Sequence, residues 1–400
     1  MTNGRSIEWI TASGLCTGCG LCQAMFPDKV KIGLSSDGYL RPVAKQELAP
    51  VELQRLFKVC PGVLIKHEDK APNYHPHWGP LVQVCTGHAN DTETRHQGSS
   101  GGVLSGLLIH LLERKQVDFV AHVKAASDDP LGNELTISRT RAQVLKGAGS
   151  RYAPSAPLAK LHELLAMPGR FAFVGKPCDV AALRRYETLH PNITAKVPYM
   201  LSFMCAGTPS RNGTLAILDK FGVQPEQVKS FAFRGDGWPG KTTAITHDDQ
   251  RFDTDYATSW GTVLNRHLQF RCKICPDGTG EFADIVGADA WYGKDGYPDF
   301  AEREGRSLVL SRTAKGEALV QSAMSANAVS TSPLPVEAIA KMQPYQLNRK
   351  RLVLSRIAAL WFSRHPAPRY INFPLFRLAV QLSVRENIRN FRGTLRRLIA

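Results

Sequence analysis

Three cysteines fall within seven residues, Cys16, Cys19 and Cys22 in the string CTGCGLC, and a fourth, Cys60, is followed by Pro61. A C-x-x-C-x-x-C run with a later Cys-Pro is the ligand spacing of a bacterial ferredoxin-type 4Fe–4S cluster. No other feature constrains the fold as much. Four thiolates must reach one small object, and three of them come most easily from a loop that wraps it. Gly14, Gly18 and Gly20 supply the permissive backbone such a loop needs. A zinc knuckle is the competing reading, but three thiolates at this spacing crowd one zinc, whose ligands usually come as separated pairs.

The chain has 400 residues, too many for a lone ferredoxin and suited to two or three domains. Its composition, 43% hydrophobic and 21% charged, is that of a soluble globular protein. The N-terminus MTNGRSIEWI lacks the apolar stretch of an export signal. The longest apolar runs, such as Ile357 to Phe362, fall far short of a membrane span of about 20 residues. Nine cysteines without an export signal point to metal or redox use in a reducing cytoplasm, not to a disulfide framework. The net charge of +15 is uneven. From Tyr345 onward there are 12 Lys/Arg against one acid, Glu386, so +11 resides in the last 56 residues.

Residues 1–75 read as a ferredoxin-like 4Fe–4S unit, with two short strands around the turn at Asp37-Gly38. The stretch APNYHPHWGP then reads as a linker. Residues 76–330 alternate strands and helices, which predicts an α+β fold with a mixed α/β core sheet. The segment SANAVSTSPLPVEA reads as a separator. Residues 331–400 then form a basic tail with amphipathic helices around 346–364 and 373–398.

Four further cysteines suggest a second ligand set. Cys272 and Cys275 form a C-x-x-C followed by Pro276, while Cys178 in GKPC and Cys205 in SFMCAG each follow a predicted strand. Strand C-terminal ends line the ligand crevice of an α/β sheet, so these cysteines could meet the CKIC loop. The alternative is that Cys178 and Cys205 are small buried hydrophobes. Cys85 reads as structural.

Three polar segments are candidates for a cofactor. Gly98-Ser99-Ser100-Gly101-Gly102 opens an apolar helix, where free N–H groups and the positive dipole end suit a pyrophosphate. Ser99 and Ser100 could cap that helix and donate to phosphate. It is neither a Walker A loop nor a G-x-G-x-x-G fingerprint, and a plain turn is the bland alternative. Lys146, Ser150, Arg151 and Tyr152 could bind an anion or form an ordinary polar loop. Gly175, Lys176 and Pro177 make a turn at a strand end that brings a cation toward a phosphate or flavin.

CTGCGLC, QGSSGGVLSGLL, GSRYAPS, FVGKPCDVAALR and RCKICPDGTGEFADI occur in this order. Together they resemble the coenzyme F420-reducing hydrogenase/dehydrogenase beta-subunit family of iron–sulfur flavoproteins, which is similar to reductases of chlorophyll precursors. The resemblance spans most of residues 10–330. It implies FAD held by Ser99, Ser100, Gly101, Gly102, Lys146, Ser150, Tyr152, Gly175, Lys176 and Pro177. It also implies two 4Fe–4S clusters, one on Cys16, Cys19, Cys22 and Cys60 and one on Cys178, Cys205, Cys272 and Cys275.

The expected function is therefore a cytoplasmic iron–sulfur flavoprotein oxidoreductase. Electrons would pass from a ferredoxin-like donor or partner redox subunit through the clusters to FAD, then to a small organic acceptor or deazaflavin. An oligomer is expected, and no nucleic-acid motif accompanies the charge. The basic tail could be a solvated face, a dock for an acidic ferredoxin, or a peripheral contact with an anionic membrane. A non-catalytic electron-transfer subunit and a zinc-stabilised binding protein are the rival readings.

Overall fold

The computed structural model describes residues 6–68, 73–294 and 297–399. Its centre is an eight-stranded mixed sheet built from β1 (Gln83–Ala89), β2 (Phe119–Ala125), β3 (Asn133–Ser138), β4 (Phe171–Val174), β5 (Tyr199–Phe203), β6 (Ile285–Asp289), β7 (Ser307–Ser311) and β8 (Val329–Pro333). The spatial order is β8-β1-β7-β6-β5-β4-β2-β3. β2, β4, β5 and β6 run parallel in the middle, while β7, β1 and β8 on one side and β3 on the other are antiparallel. The reason is legible in the strands. Phe119, Val120, Ala121, Phe171, Ala172 and Phe173 are all fully buried, as a strand covered on both faces requires. Two apolar clusters, one on each face of the sheet, are held apart by it.

Parallel register brings the carboxyl ends of β4, β5 and β6 to the same edge, with Leu201 opposite both Val174 and Ile285. That edge receives two helix starts, α1 (Val103–Glu113) and α2 (Pro177–Leu189). A separate three-stranded antiparallel sheet, Val228–Ala232, Thr242–Thr246 and Arg251–Thr254, carries its own apolar cluster beside it.

Three expectations change. The stretch 71–80 is no loose linker where it is described: Tyr74–His75 pairs with Gly79–Pro80, and Trp78 is buried between the sheet and its covering residues. (Ala71 and Pro72 lie outside the described residues.) The Ser/Ala/Pro separator contains β8, which pairs with β1 because Val329 and its neighbours satisfy an otherwise open edge. The third difference is the tail. Its helices are α3 (Pro344–Arg351), α4 (Val353–Phe362), α5 (Leu375–Ala379) and α6 (Val384–Ile399). Val353, Ile357 and Leu360 share one core with Ile7, Ile10, Leu15 and Leu56 of the N-terminal segment. Arg369–Ile371 adds a parallel strand to Leu64–Lys66. The two ends of the chain thus share one core and one strand pairing.

Candidate functional site: a cleft beside two cysteine sets

The cleft at the parallel strand ends encloses about 240 Å³ of water-accessible space, many times the roughly 10–15 Å³ that one water needs. Seven of the ten residues expected at a flavin line it: Ser99, Ser100, Gly102, Ser150, Tyr152, Gly175 and Lys176. Three do not. Gly101 turns against the backbone of Gly305, Lys146 is exposed at the end of the helix Arg141–Lys146, and Pro177 is buried as the first residue of α2.

The Gly-rich turn works differently from expectation. Gly102 itself is the N-cap of α1, at φ 72°, and no side chain caps the helix. Ser99 and Ser150 instead bond each other, Oγ to Oγ at 2.7 Å. The first-turn residues Val103, Leu104 and Ser105 therefore meet the cleft without a capping side chain, and they line it. Gly102 is required: its φ disfavours a side chain, and a Cβ there would lie 2.3 Å from the Thr94 carbonyl oxygen.

Lys176 is almost fully buried. Its Nζ donates to the Ser155 carbonyl at 3.0 Å and Ser155 Oγ at 2.7 Å, and pairs with Asp179 at 2.8 Å. Burial opposes the ammonium, and the Asp179 carboxylate outweighs it, holding Lys176 protonated. The lysine thus stiffens the turn that leads to Cys178. Its reach toward a phosphate is limited by these bonds.

Several lining residues were missed in the sequence. Arg234 is buried and clamps Asp289 through both Nη atoms while lying 4.9 Å over Tyr256 and 5.0 Å over Trp291. His122 bonds Ser138 at 2.7 Å, and burial lowers its pKa to about 4, so the cleft presents a neutral imidazole at this point. Tyr152 and Trp260 form an aromatic wall, ring centroids 4.8 Å apart. No local motif marks Arg234, Asp289, His122 or Trp260, because each reaches the cleft through tertiary packing; Tyr152 alone of these was expected. Arg151, read as a candidate anion ligand, spends its donors on Asn133, Phe231, Pro130 and Gly132.

Cys16, Cys19, Cys22 and Cys60 line one small cavity with Ile7, Ile10 and Leu56. Their loop is pinned by Gly20, whose φ is 88° and whose added Cβ would lie 2.7 Å from Ala159 N. Cys178, Cys205, Cys272 and Cys275 form a second neighbourhood, close enough that ionising Cys272 would raise the thiol pKa of Cys178, Cys205 and Cys275. Backbone N–H of Thr208 and the Gln269 amide both donate to Cys272 Sγ at 3.4 Å. Burial pushes up the thiols of Cys16, Cys19, Cys22 and Cys60 in the first set and of Cys178, Cys205 and Cys275 in the second, Cys60 and Cys205 to about 12. Metal binding at either set would displace thiol protons. Among the described residues no three Cys, His, Asp or Glu gather closely enough to share one metal ion.

Cys205 also lines the cleft, so the second set forms part of its wall. The tail seals the other side: Arg349 donates to the Cys205 carbonyl at 2.7 Å and Tyr370 to the Ile274 carbonyl at 2.7 Å. Arg271 lies between the sets. It is 1% exposed, its Nη2 donates to Pro61 O at 2.8 Å, its guanidinium lies 5.4 Å over the Tyr370 ring, and among the described residues its Nε and Nη1 meet no hydrogen-bond acceptor. Its charge lowers the pKa of Cys60 on one side and Cys275 on the other. Gln269 and Arg41 bond each other and reach Thr17 and Cys16 carbonyls, joining the two loops. Cys85 is buried in β1, away from both sets.

Fold and cleft define a mixed-sheet protein with a crevice at its parallel strand ends. Residues 84–163 match the N-terminal model of coenzyme F420 hydrogenase/dehydrogenase beta subunits, and residues 169–337 match the C-terminal model. The chain belongs to the coenzyme F420 hydrogenase/dehydrogenase beta-subunit family. It is 25% identical to the coenzyme F420 hydrogenase subunit beta of Methanococcus voltae, over 70% of this chain and 96% of that one. It is also 25% identical to a coenzyme F420-dependent sulfite reductase of Methanocaldococcus jannaschii, over 87% of this chain and 52% of that one. A chain in the F420-reducing [NiFe] hydrogenase complex of Methanosarcina barkeri shares the fold, with TM-score 0.57 and 20% identity over 74% of this chain and 98% of that chain.

Proposed function

We propose that the chain is an iron–sulfur flavoprotein oxidoreductase with two 4Fe–4S clusters and FAD. It would carry electrons from a ferredoxin-like donor or partner redox subunit to a small organic acceptor or deazaflavin. One observation carries the reading: Cys205 belongs both to the second cysteine set and to the wall of the cleft where the expected flavin residues meet. A flavin bound there exchanges single electrons for a two-electron hydride.

The residues present fit these groups. The uncapped start of α1 at Gly102–Ser105 and the Ser99/Ser150 pair would hold a pyrophosphate. Tyr152 and Trp260 would face a ring system, and Arg234, neutralised by Asp289, would orient it without adding net charge. Neutral His122 keeps that end of the cleft free of a proton donor with a charge at ordinary pH. Cys16, Cys19, Cys22 and Cys60 would hold one cluster, and Cys178, Cys205, Cys272 and Cys275 the other. The unpartnered Nε and Nη1 of Arg271 suit sulfur acceptors in the space between them.

The test is compositional and optical. Protein purified without oxygen is expected to be brown, with roughly eight irons and one FAD per chain. Zinc without iron or flavin contradicts the proposal. Reoxidation of the reduced flavin by an organic acceptor, without a partner subunit, would distinguish an enzyme from an electron-transfer subunit.

A further inference from the structure

The tail presents a surface that the redox site does not use. Trp361, Phe362, Phe376, Val380, Val384 and Ile388 are between 45% and 75% exposed. Singly exposed apolar residues are ordinary, but a group of large ones on neighbouring helices marks a contact surface. They stand on a firm base. Leu378 of α5 is fully buried, the Ser355 hydroxyl donates to Asn387, and Arg356 reaches Asn390 at 3.2 Å, locking α6 alongside α4. The rings of Phe362 and Phe391 meet at 5.8 Å and join the end of α4 to α6. Phe376 and Val380, like Val384 and Ile388, are four residues apart, so each pair shares a helix side.

Cations border this apolar strip. Arg377, Arg385, Arg389 and Arg392 are exposed on the same two helices. The one acid of the segment, Glu386, is turned onto Ser383, accepting from its N–H at 3.0 Å and its hydroxyl at 2.7 Å. Arg349 and Lys350 of the tail are buried, Lys350 against Glu281, so the cations available to this face are the exposed arginines of α5 and α6. An acidic protein partner would satisfy the charge but would need a matching pocket for each protruding side chain. A fluid anionic surface needs none. Aromatic and aliphatic side chains on one side of a helix, with arginines beside them, suit insertion into the headgroup boundary of a lipid layer. Among the described residues no helix is long and apolar enough to cross a membrane, so the contact would be peripheral.

We infer that α4, α5 and α6 form a docking face for an anionic phospholipid membrane, with the aromatic and aliphatic side chains entering the interface and the arginines contacting lipid phosphate. This is independent of the redox reading.

The full chain is to be floated with vesicles of phosphatidylcholine alone or mixed with phosphatidylglycerol. It should bind the mixed vesicles and not the neutral ones, with weaker binding as salt is raised. A blue shift of tryptophan emission should accompany binding and be lost in W361F. Removing charge in R385Q/R389Q/R392Q should weaken binding roughly fivefold per arginine, and F376S/V384S should also reduce it. Circular dichroism like that of the unaltered chain shows that these surface variants fold. Absence of binding to anionic vesicles, equal binding to both vesicles, or unchanged binding by both variants overturns the inference. So does capture of an acidic ferredoxin through these same residues by a chain that ignores vesicles.

Discussion

The two cysteine sets make the same kind of neighbourhood in opposite ways. In the first, three thiols come from one seven-residue loop, and the fourth arrives at the end of the helix Pro50–Val59. Local backbone geometry does the work, through left-handed glycines that let the loop fold back on itself. In the second, Cys178 enters at the start of α2, Cys205 just past β5, and Cys272 and Cys275 from a short helical turn. Here the sheet does the work. Parallel register carries distant strand ends to one edge, and the tail closes the remaining side through Arg349 and Tyr370. A locally built site should be sensitive to backbone changes within it. A tertiary site should be sensitive to changes in the side chains that hold its elements.

Asp179→Ala probes the second kind. It leaves the Lys176 ammonium buried without its carboxylate and removes the acceptor of the Lys176 N–H at 3.0 Å. A loss of about 3–5 kcal/mol in unfolding free energy is expected, read as a lowered denaturation midpoint. An unchanged midpoint would break the claim that this ion pair positions the turn before Cys178. Gly20→Ala probes the first kind. The positive φ and the approach to Ala159 should cost about 1–3 kcal/mol, with iron lost from the first set and retained in the second. Equal loss from both sets would erase the distinction. Arg271→Gln addresses the boundary between them. Removing the buried cation should retain iron and lower the reduction potential of at least one cluster. A tenfold change in equilibrium corresponds to about 59 mV for one electron, measurable by titration followed by magnetic resonance. Potentials that do not move would show that the orphan donors do not act on the sets.

How much of this could be read from residues alone follows the same division. The loop at Cys16–Cys22 and the hairpin around Asp37-Gly38 are local, and the hairpin Val30–Leu34 with Leu40–Ala44 forms where the turn predicts. The apolar strands β2, β4 and β5 are equally legible, because continuous burial writes a continuous apolar run. β8 was hidden in a Ser/Pro-rich segment, since an edge strand needs little apolar content. Arg234, Asp289, His122 and Trp260 carry no spacing that would bring them to the cleft. The tail misleads most: its charge advertises solvent, yet Arg349 and Lys350 are buried, Lys350 against Glu281. Charge content says which residues can face water, not which helices do.

The central claim is that the eight cysteines hold two separate clusters. Iron per chain in the unaltered protein, Cys19→Ser and Cys275→Ser, each prepared without oxygen, tests it most directly. Roughly eight irons are expected in the first and about half of that in each variant. The cluster that survives should differ between the two variants in its magnetic resonance spectrum. Iron unchanged in Cys275→Ser, or abolished altogether by either substitution, would contradict it.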